Sequence, residues 1–173
     1  MYFTLRNIKQ NLKMNILLSW LGSADIKLME ENKLGALASI AITATTSFDE
    51  IIILANAWNE KRHSYTDWLN KKLAIAGRPF GFKVNRANLI SPIDYDSITK
   101  VTHKWLEKLS TDENNVYINL NSGTPAMTAV SVLLGEGVYD CKFFQTSKEN
   151  GVEQTKLPID FSVLMNSRQT TNG

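Results

Sequence analysis

The stretch Val116-Tyr117-Ile118-Asn119-Leu120-Asn121-Ser122-Gly123-Thr124-Pro125-Ala126-Met127 decides how the rest of the chain is read. Val116–Leu120 is a short, largely apolar, β-branched run of the kind that forms a buried strand. Asn121-Ser122-Gly123-Thr124 is a tight polar turn, and Gly123 supplies left-handed backbone freedom. Pro125 fits the first turn of a helix, because its missing N–H costs nothing there. This predicts a strand, a small loop and a helix running to about Gly137. The free N–H groups and positive dipole end of such a helix attract phosphate, and the Ser122 and Thr124 hydroxyls can donate to phosphate or ribose oxygens. Alternatively, Thr124 is simply an N-cap.

The same alternation extends on both sides. Asn15–Leu21 is a compact apolar run ending at Gly22, consistent with a strand buried on both faces. Gly22-Ser23-Ala24-Asp25 reads as a turn. Leu34–Thr46 has helical spacing, with apolar residues at 34, 37, 38, 41 and 42. Asp49–Ala55, with three consecutive isoleucines, is the clearest strand. A polar loop from Asn56 to Arg62 leads to a helix over Tyr65–Ala76, ended by Gly77 and Pro79. Phe80–Ile90 reads as an edge or half-exposed strand, Ser91–Asp94 as a turn and Asp96–Leu109 as a helix capped at Asp96. Cys141–Thr146 is a fifth strand, and Val152–Val163 a terminal strand or hairpin arm. Strands alternating with helices predict a doubly wound, Rossmann-like α/β fold. Its mainly parallel sheet has five to six strands, with helices on both faces.

The chain has 173 residues, enough for one domain with its own core. We divide it into a lead-in over 1–13, a domain over 14–164 and a polar tail over 165–173. There are 19 Lys+Arg against 17 Asp+Glu, a net charge of +2. That balance excludes a long-duplex binder working by bulk positive charge. The single Cys141 excludes a disulfide framework and a cysteine-rich metal site. It reads as a small buried hydrophobe. His103 is read as structural, and neither a metal site nor a cofactor is expected. No apolar run approaches the roughly 20 residues of a membrane helix, and no signal peptide is visible, so a cytoplasmic protein is expected.

Ligands of open parallel sheets sit beyond the carboxyl ends of the strands. The candidates there are Gly22, Ser23, Ala24 and Asp25 after the first strand, and Asn56, Trp58 and Asn59, with Lys61 and Arg62, after the second. Ser91 follows the third. After the fourth come Asn121, Ser122, Gly123, Thr124, Pro125 and Met127. The loop at Gly22 is neither a Walker A motif nor Gly-x-Gly-x-x-Gly, which argues against the usual dinucleotide site. Lys61 and Arg62 can offset phosphate charge, or belong to a solvated loop. Ser23, Lys61, His63 and Thr124 are weak catalytic candidates, without a clear acid–base pair.

Leu21-Gly22-Ser23, together with Asn119-Leu120-Asn121-Ser122-Gly123-Thr124-Pro125-Ala126-Met127, resembles the CARF domain, the CRISPR-associated Rossmann-like sensor. The resemblance extends from about Asn15 to Val163. Within the family the chain looks similar to sensor domains of bacterial regulators, including those of RNA-repair operons. Ile90-Ser91-Pro92-Ile93-Asp94-Tyr95-Asp96-Ser97-Ile98 contributes to that likeness. Where many members carry a second Gly or a Lys, this chain has Ser122 and Ala126. The resemblance implies a homodimer whose paired loops hold cyclic oligoadenylate. Gly22 and Ser23 would line one side of that site, and Asn121, Ser122, Gly123, Thr124 and Met127 the other. It also implies control of an effector in type III CRISPR signalling or transcription regulation, the effector lying beyond residue 173. The alternatives are a ring nuclease that cleaves the bound ligand and a sensor of RNA ends.

Overall fold

The computed structural model describes residues 12–56, 61–78 and 81–157. Their elements in chain order are β1 (Met14–Trp20), α1 (Ser23–Glu30), α2 (Ala36–Thr43), β2 (Glu50–Ala55), α3 (Arg62–Ile75), β3 (Gly81–Arg86), α4 (Tyr95–Leu109), β4 (Asn114–Asn119), α5 (Pro125–Gly137), β5 (Lys142–Ser147) and β6 (Gly151–Thr155). The strands form one sheet in the order β3-β2-β1-β4-β5-β6. All pairings are parallel except β5 with β6. The Rossmann-like α/β expectation therefore holds, with six strands in the sheet.

The period-2 alternation of strand side chains divides the apolar residues between two cores. Leu17, Ile51, Ile53, Tyr117 and Phe144 face the layer that includes Ile26 of α1, Leu37 of α2 and Leu69 of α3. Ile16, Leu18, Ile52, Leu54, Ile118 and Phe143 face the layer that includes Ile98 of α4 and Val130 of α5. β1 and β2 are buried on both faces, which is why their sequences are continuous apolar runs rather than alternating ones. Phe48, Tyr117 and Phe144 pack with ring centroids 5.6–5.8 Å apart, closing the first core from the end of α2 to β5.

Several sequence expectations are corrected. Gly22–Asp25 is not a plain turn, because a helix, α1, begins at Ser23. Gly22 is its extended N-cap, and the Asp25 carboxylate accepts the Gly22 N–H at 3.2 Å. A side chain at the third helical position thus closes the first turn. Asp94, not Asp96, caps α4: its Oδ1 accepts the Ser97 N–H at 2.8 Å. Asp96 pairs instead with Lys100 one turn on, at 2.6 Å. β3 is an edge strand, as its composition suggested, but ends at Arg86. α3 gives way at Gly77, whose φ is +68°; Pro79 lies outside the described residues. β6 forms a hairpin arm with β5 and ends at Thr155. The remainder of that expected strand, 158–163, and the tail over 165–173 lie outside the described residues, as does the lead-in up to Asn11.

Cys141 is buried, and that burial pushes its thiol up to about 12, so it is protonated and inert at neutral pH. The His103 ring nitrogen Nδ1 lies 2.6 Å from the Tyr139 hydroxyl, fastening α4 to the chain just before β5. No helix among the described residues is long and apolar enough to cross a membrane.

Candidate functional site

Going out from β1, the chain winds through β2 and β3 in one direction and through β4 and β5 in the other. The order therefore reverses between β1 and β4, and the loops that leave these two strands must part to opposite faces. In open α/β sheets this is where a crevice forms. Here the loops are those at Gly22 and at Asn121–Thr124.

Their closeness is set by two glycines. A Cβ placed on Gly22 would lie 2.7 Å from the backbone nitrogen of Gly123. Gly123 has φ +95°, and a Cβ there would meet Met127 Sδ at 2.8 Å and Trp20 Cβ at 3.0 Å. On the Gly22 side the backbone of the other loop lies where a Cβ would be, and on the Gly123 side the left-handed φ and the side chains of Met127 and Trp20 favour glycine. Beside this contact is a cleft of about 190 Å³. Leu21, Gly22 and Ser23 contribute from one loop, and Gly123, Thr124 and Met127 from the other. Asn56 after β2 and Pro92 before α4 complete it.

Under the loops runs a buried polar network. The Asn119 amide Nδ2 donates to Ser19 Oγ at 3.0 Å and to Ser122 Oγ at 2.7 Å. Asn119 Oδ1 accepts the Asn121 N–H at 2.9 Å. The Ser122 hydroxyl in turn hydrogen-bonds to the Asp25 carboxylate. Asp25 Oδ1 also accepts the Leu37 N–H at the start of α2, at 3.2 Å. Ser19, Asp25, Asn119 and Ser122 are each no more than 3% exposed. One connected set of side chains therefore fixes both loops and the first turns of α1 and α2.

Burial raises the Asp25 carboxyl above its ordinary 3.8, against the lowering effect of its bonds from Ser122, Leu37 and Gly22. The same carboxylate, added to burial, raises the Tyr65 phenol well above 10. Because the folded value of Asp25 is raised, the group's stabilising contribution is fully present below pH 3.8 and is lost as pH rises through the folded value. The difference in unfolding free energy between the parent chain and Asp25→Asn should therefore shift toward the parent as pH falls from 7 to 4. Denaturant melts across that range check it, and a shift toward the variant contradicts it.

The sequence candidates divide accordingly. Gly22, Ser23, Gly123, Thr124 and Met127 come together at the cleft. Asp25 and Ser122 do not line it, because they are spent on the network behind it. Asn121 Oδ1 accepts the Thr146 N–H of β5 at 2.7 Å. Pro125 begins α5, exposed. The Ser91 hydroxyl accepts the Ile93 N–H within its own turn at 3.3 Å; its neighbour Pro92 is the residue that reaches the cleft. Ala24 lies in a separate groove with Lys61, which is ion-paired to Glu30. Of the weak catalytic candidates, Ser23 lines the cleft with Thr124 and the groove with Lys61, while His63, on α3, has its Nε2 3.4 Å from Arg62 Nε. Trp58 and Asn59 lie outside the described residues.

Thr124 is an N-cap and also a clasp. Its Oγ1 accepts the Met127 N–H at 3.3 Å and donates to Pro92 O at 2.6 Å. Asn119 and Asn56 were legible as polar residues at strand ends, Asn119 within the CARF-like signature and Asn56 at the head of the loop after the second strand, but not as the ties they make. Asn56 Oδ1 accepts the Leu89 N–H at 3.3 Å, a tie between two loops.

No family model matches the sequence, and no curated protein matches it. Solved structures do. Csm6 of Enterococcus italicus, bound to cyclic hexa-2′-fluoro-hexa-dAMP, superposes with a TM-score of 0.70 at 17% identity, over 89% of this chain and 44% of that one. Protein VC1899 of Vibrio cholerae gives 0.58 at 15%, over 85% of this chain and 34% of its own. A type III CRISPR defence DNA nuclease activated by cyclic oligoadenylate gives 0.51 at 17%, over 88% and 23%. The chain thus spans less than half the length of each. At such identities the likeness is one of fold, and the shared fold is the Rossmann-like one that the CARF resemblance implies.

Proposed function

We propose that the chain is a sensing domain for cyclic oligoadenylate, dimeric, whose occupied state controls an effector in type III CRISPR antiviral signalling. The observation that carries this reading is the close meeting of Gly22 and Gly123 at the switch-point cleft. The two loops that met there were the ones the CARF resemblance singled out. Two of the structures sharing the fold are described with a cyclic oligonucleotide, one as bound to it and one as activated by it. A ring with two-fold symmetry suits an isologous dimer, since each loop is then used twice.

In this reading residues 14–164 form the sensor. Gly22, Ser23, Gly123, Thr124 and Met127 touch the ligand, while Asp25, Asn119 and Ser122 hold their loops. Thermal unfolding in the presence of cyclic tetra- and hexa-adenylate tests it. At ligand concentrations about a hundred times Kd the expected stabilisation is about 2.7 kcal/mol. For a chain of this size that is a rise of roughly 5–10 °C. An unchanged midpoint with both rings, up to high micromolar concentration, overturns it.

A further inference from the structure

The cleft lacks what an anionic ligand needs most. None of the described residues that contribute to it is Lys, Arg or His. The buried Asp25 carboxylate takes the N–H of Gly22, one of the cleft's own residues. The start of α5 offers little more. Pro125 has no N–H, the Met127 N–H is taken by Thr124 Oγ1, and the Thr128 N–H by the Thr124 carbonyl. A phosphodiester held only there would be short of donors and close to a negative charge.

A second depression shares the lining residue Ser23 with the cleft. It is a groove of about 430 Å³ between α1 and the start of α3, lined by Ser23, Ala24, Ile26, Lys27, Glu30 and Lys61. Ser23 and Lys27 are one helical turn apart and share a face of α1. Across the groove Lys61 is ion-paired to Glu30, both about half exposed. An exposed pair of this kind contributes little to stability, and its lysine remains available to a stronger anion.

Resting on the sensing function proposed above, we propose that this groove is the phosphate seat of the site. A phosphodiester of the bound oligonucleotide leaves the neutral cleft past Ser23 and is met by Lys61 and Lys27. Lys61 exchanges its Glu30 partner for the phosphate, and the neutral base and sugar occupy the cleft.

The sign of two substitutions separates this role from a structural one. Lys61→Met and Glu30→Gln both break the same ion pair, so a mere brace predicts that they act alike. A phosphate seat predicts opposite effects, because Glu30 competes with the ligand for Lys61. Affinity for cyclic tetra-adenylate and cyclic hexa-adenylate is measured by calorimetry on the parent chain, and for the ring it binds on Lys61→Met, Lys27→Met and Glu30→Gln, at several salt concentrations. The expected result is about fivefold weaker binding for each lysine variant. The dependence of log K on log salt should also be shallower by roughly 0.7 per lost contact. Glu30→Gln should bind about two- to fivefold more tightly. Circular dichroism checks that each variant is folded. Binding by the parent chain with unchanged lysine variants, or with Lys61→Met and Glu30→Gln shifted in the same direction, overturns the phosphate seat alone. No binding by the parent chain of either cyclic tetra- or cyclic hexa-adenylate overturns the sensing function and the seat with it.

Discussion

Asp25→Ala is expected to lower the unfolding free energy by roughly 3–5 kcal/mol, the scale for stripping partners from buried polar groups. Three groups depend on this carboxylate: the Gly22 N–H, the Leu37 N–H and the Ser122 hydroxyl. Alanine leaves the two amides, at the starts of α1 and α2, without an acceptor where water does not reach. At about 2–4 °C per kcal/mol for a chain of this size, the melting temperature should fall on the order of 10 °C. Glutamate should not rescue it. A Cβ on Gly35 would already sit 2.7 Å from Asp25 Oδ1, so the carboxylate has glycine backbone against it and no room for another methylene. A loss below about 1 kcal/mol by calorimetry or denaturant melts would mean that the two helix starts find other partners.

Gly22→Ala is expected to cost about 1–3 kcal/mol of stability and most of the ligand affinity. The new methyl would meet the Gly123 backbone nitrogen at 2.7 Å, and a backbone atom cannot swing away as a side-chain tip can. Relief requires the two loops to separate, which widens the switch-point cleft and moves the start of α1. Affinity for cyclic oligoadenylate should fall at least tenfold, about 1.4 kcal/mol. The paired substitution Gly123→Ala should do the same with added strain, since φ +95° is unfavourable for alanine. Calorimetric titration of each variant, with a melt to confirm folding, checks both effects. Unchanged affinity in a folded Gly22→Ala would show that the ligand does not use this contact.

Much of the fold was legible because the signals were local. Continuous apolar runs marked the doubly buried β1 and β2. The alternation at Phe82-Lys83-Val84-Asn85 marked β3 as an edge. Gly123 followed by Thr124-Pro125 marked the loop and helix at the switch point. The first turn of α1 was not legible. Gly-Ser-Ala-Asp is turn-like in composition, and it becomes helical because Asp25 closes it and finds further partners at Leu37 and Ser122. Ser122 lies nearly a hundred residues away along the chain. In sequence Asp25 and Ser122 sit among the ligand-facing loop residues, whereas the fold turns them inward onto each other. The cap of α4 was misplaced for a simpler reason: Asp94 and Asp96 are equally good caps, and the turn at Ser91–Ile93 decides between them. The pairing of Lys61 with Glu30 joins the starts and ends of two helices, and no spacing rule reaches across them.

The most direct test of the central claim is a calorimetric titration of the 173-residue chain with cyclic tetra-adenylate and cyclic hexa-adenylate, with mass measured in the same buffer. The account predicts saturable binding of at least one ring, at one ring per two chains, by a species of dimer mass. Heats no larger than dilution for both rings up to high micromolar concentration would contradict it.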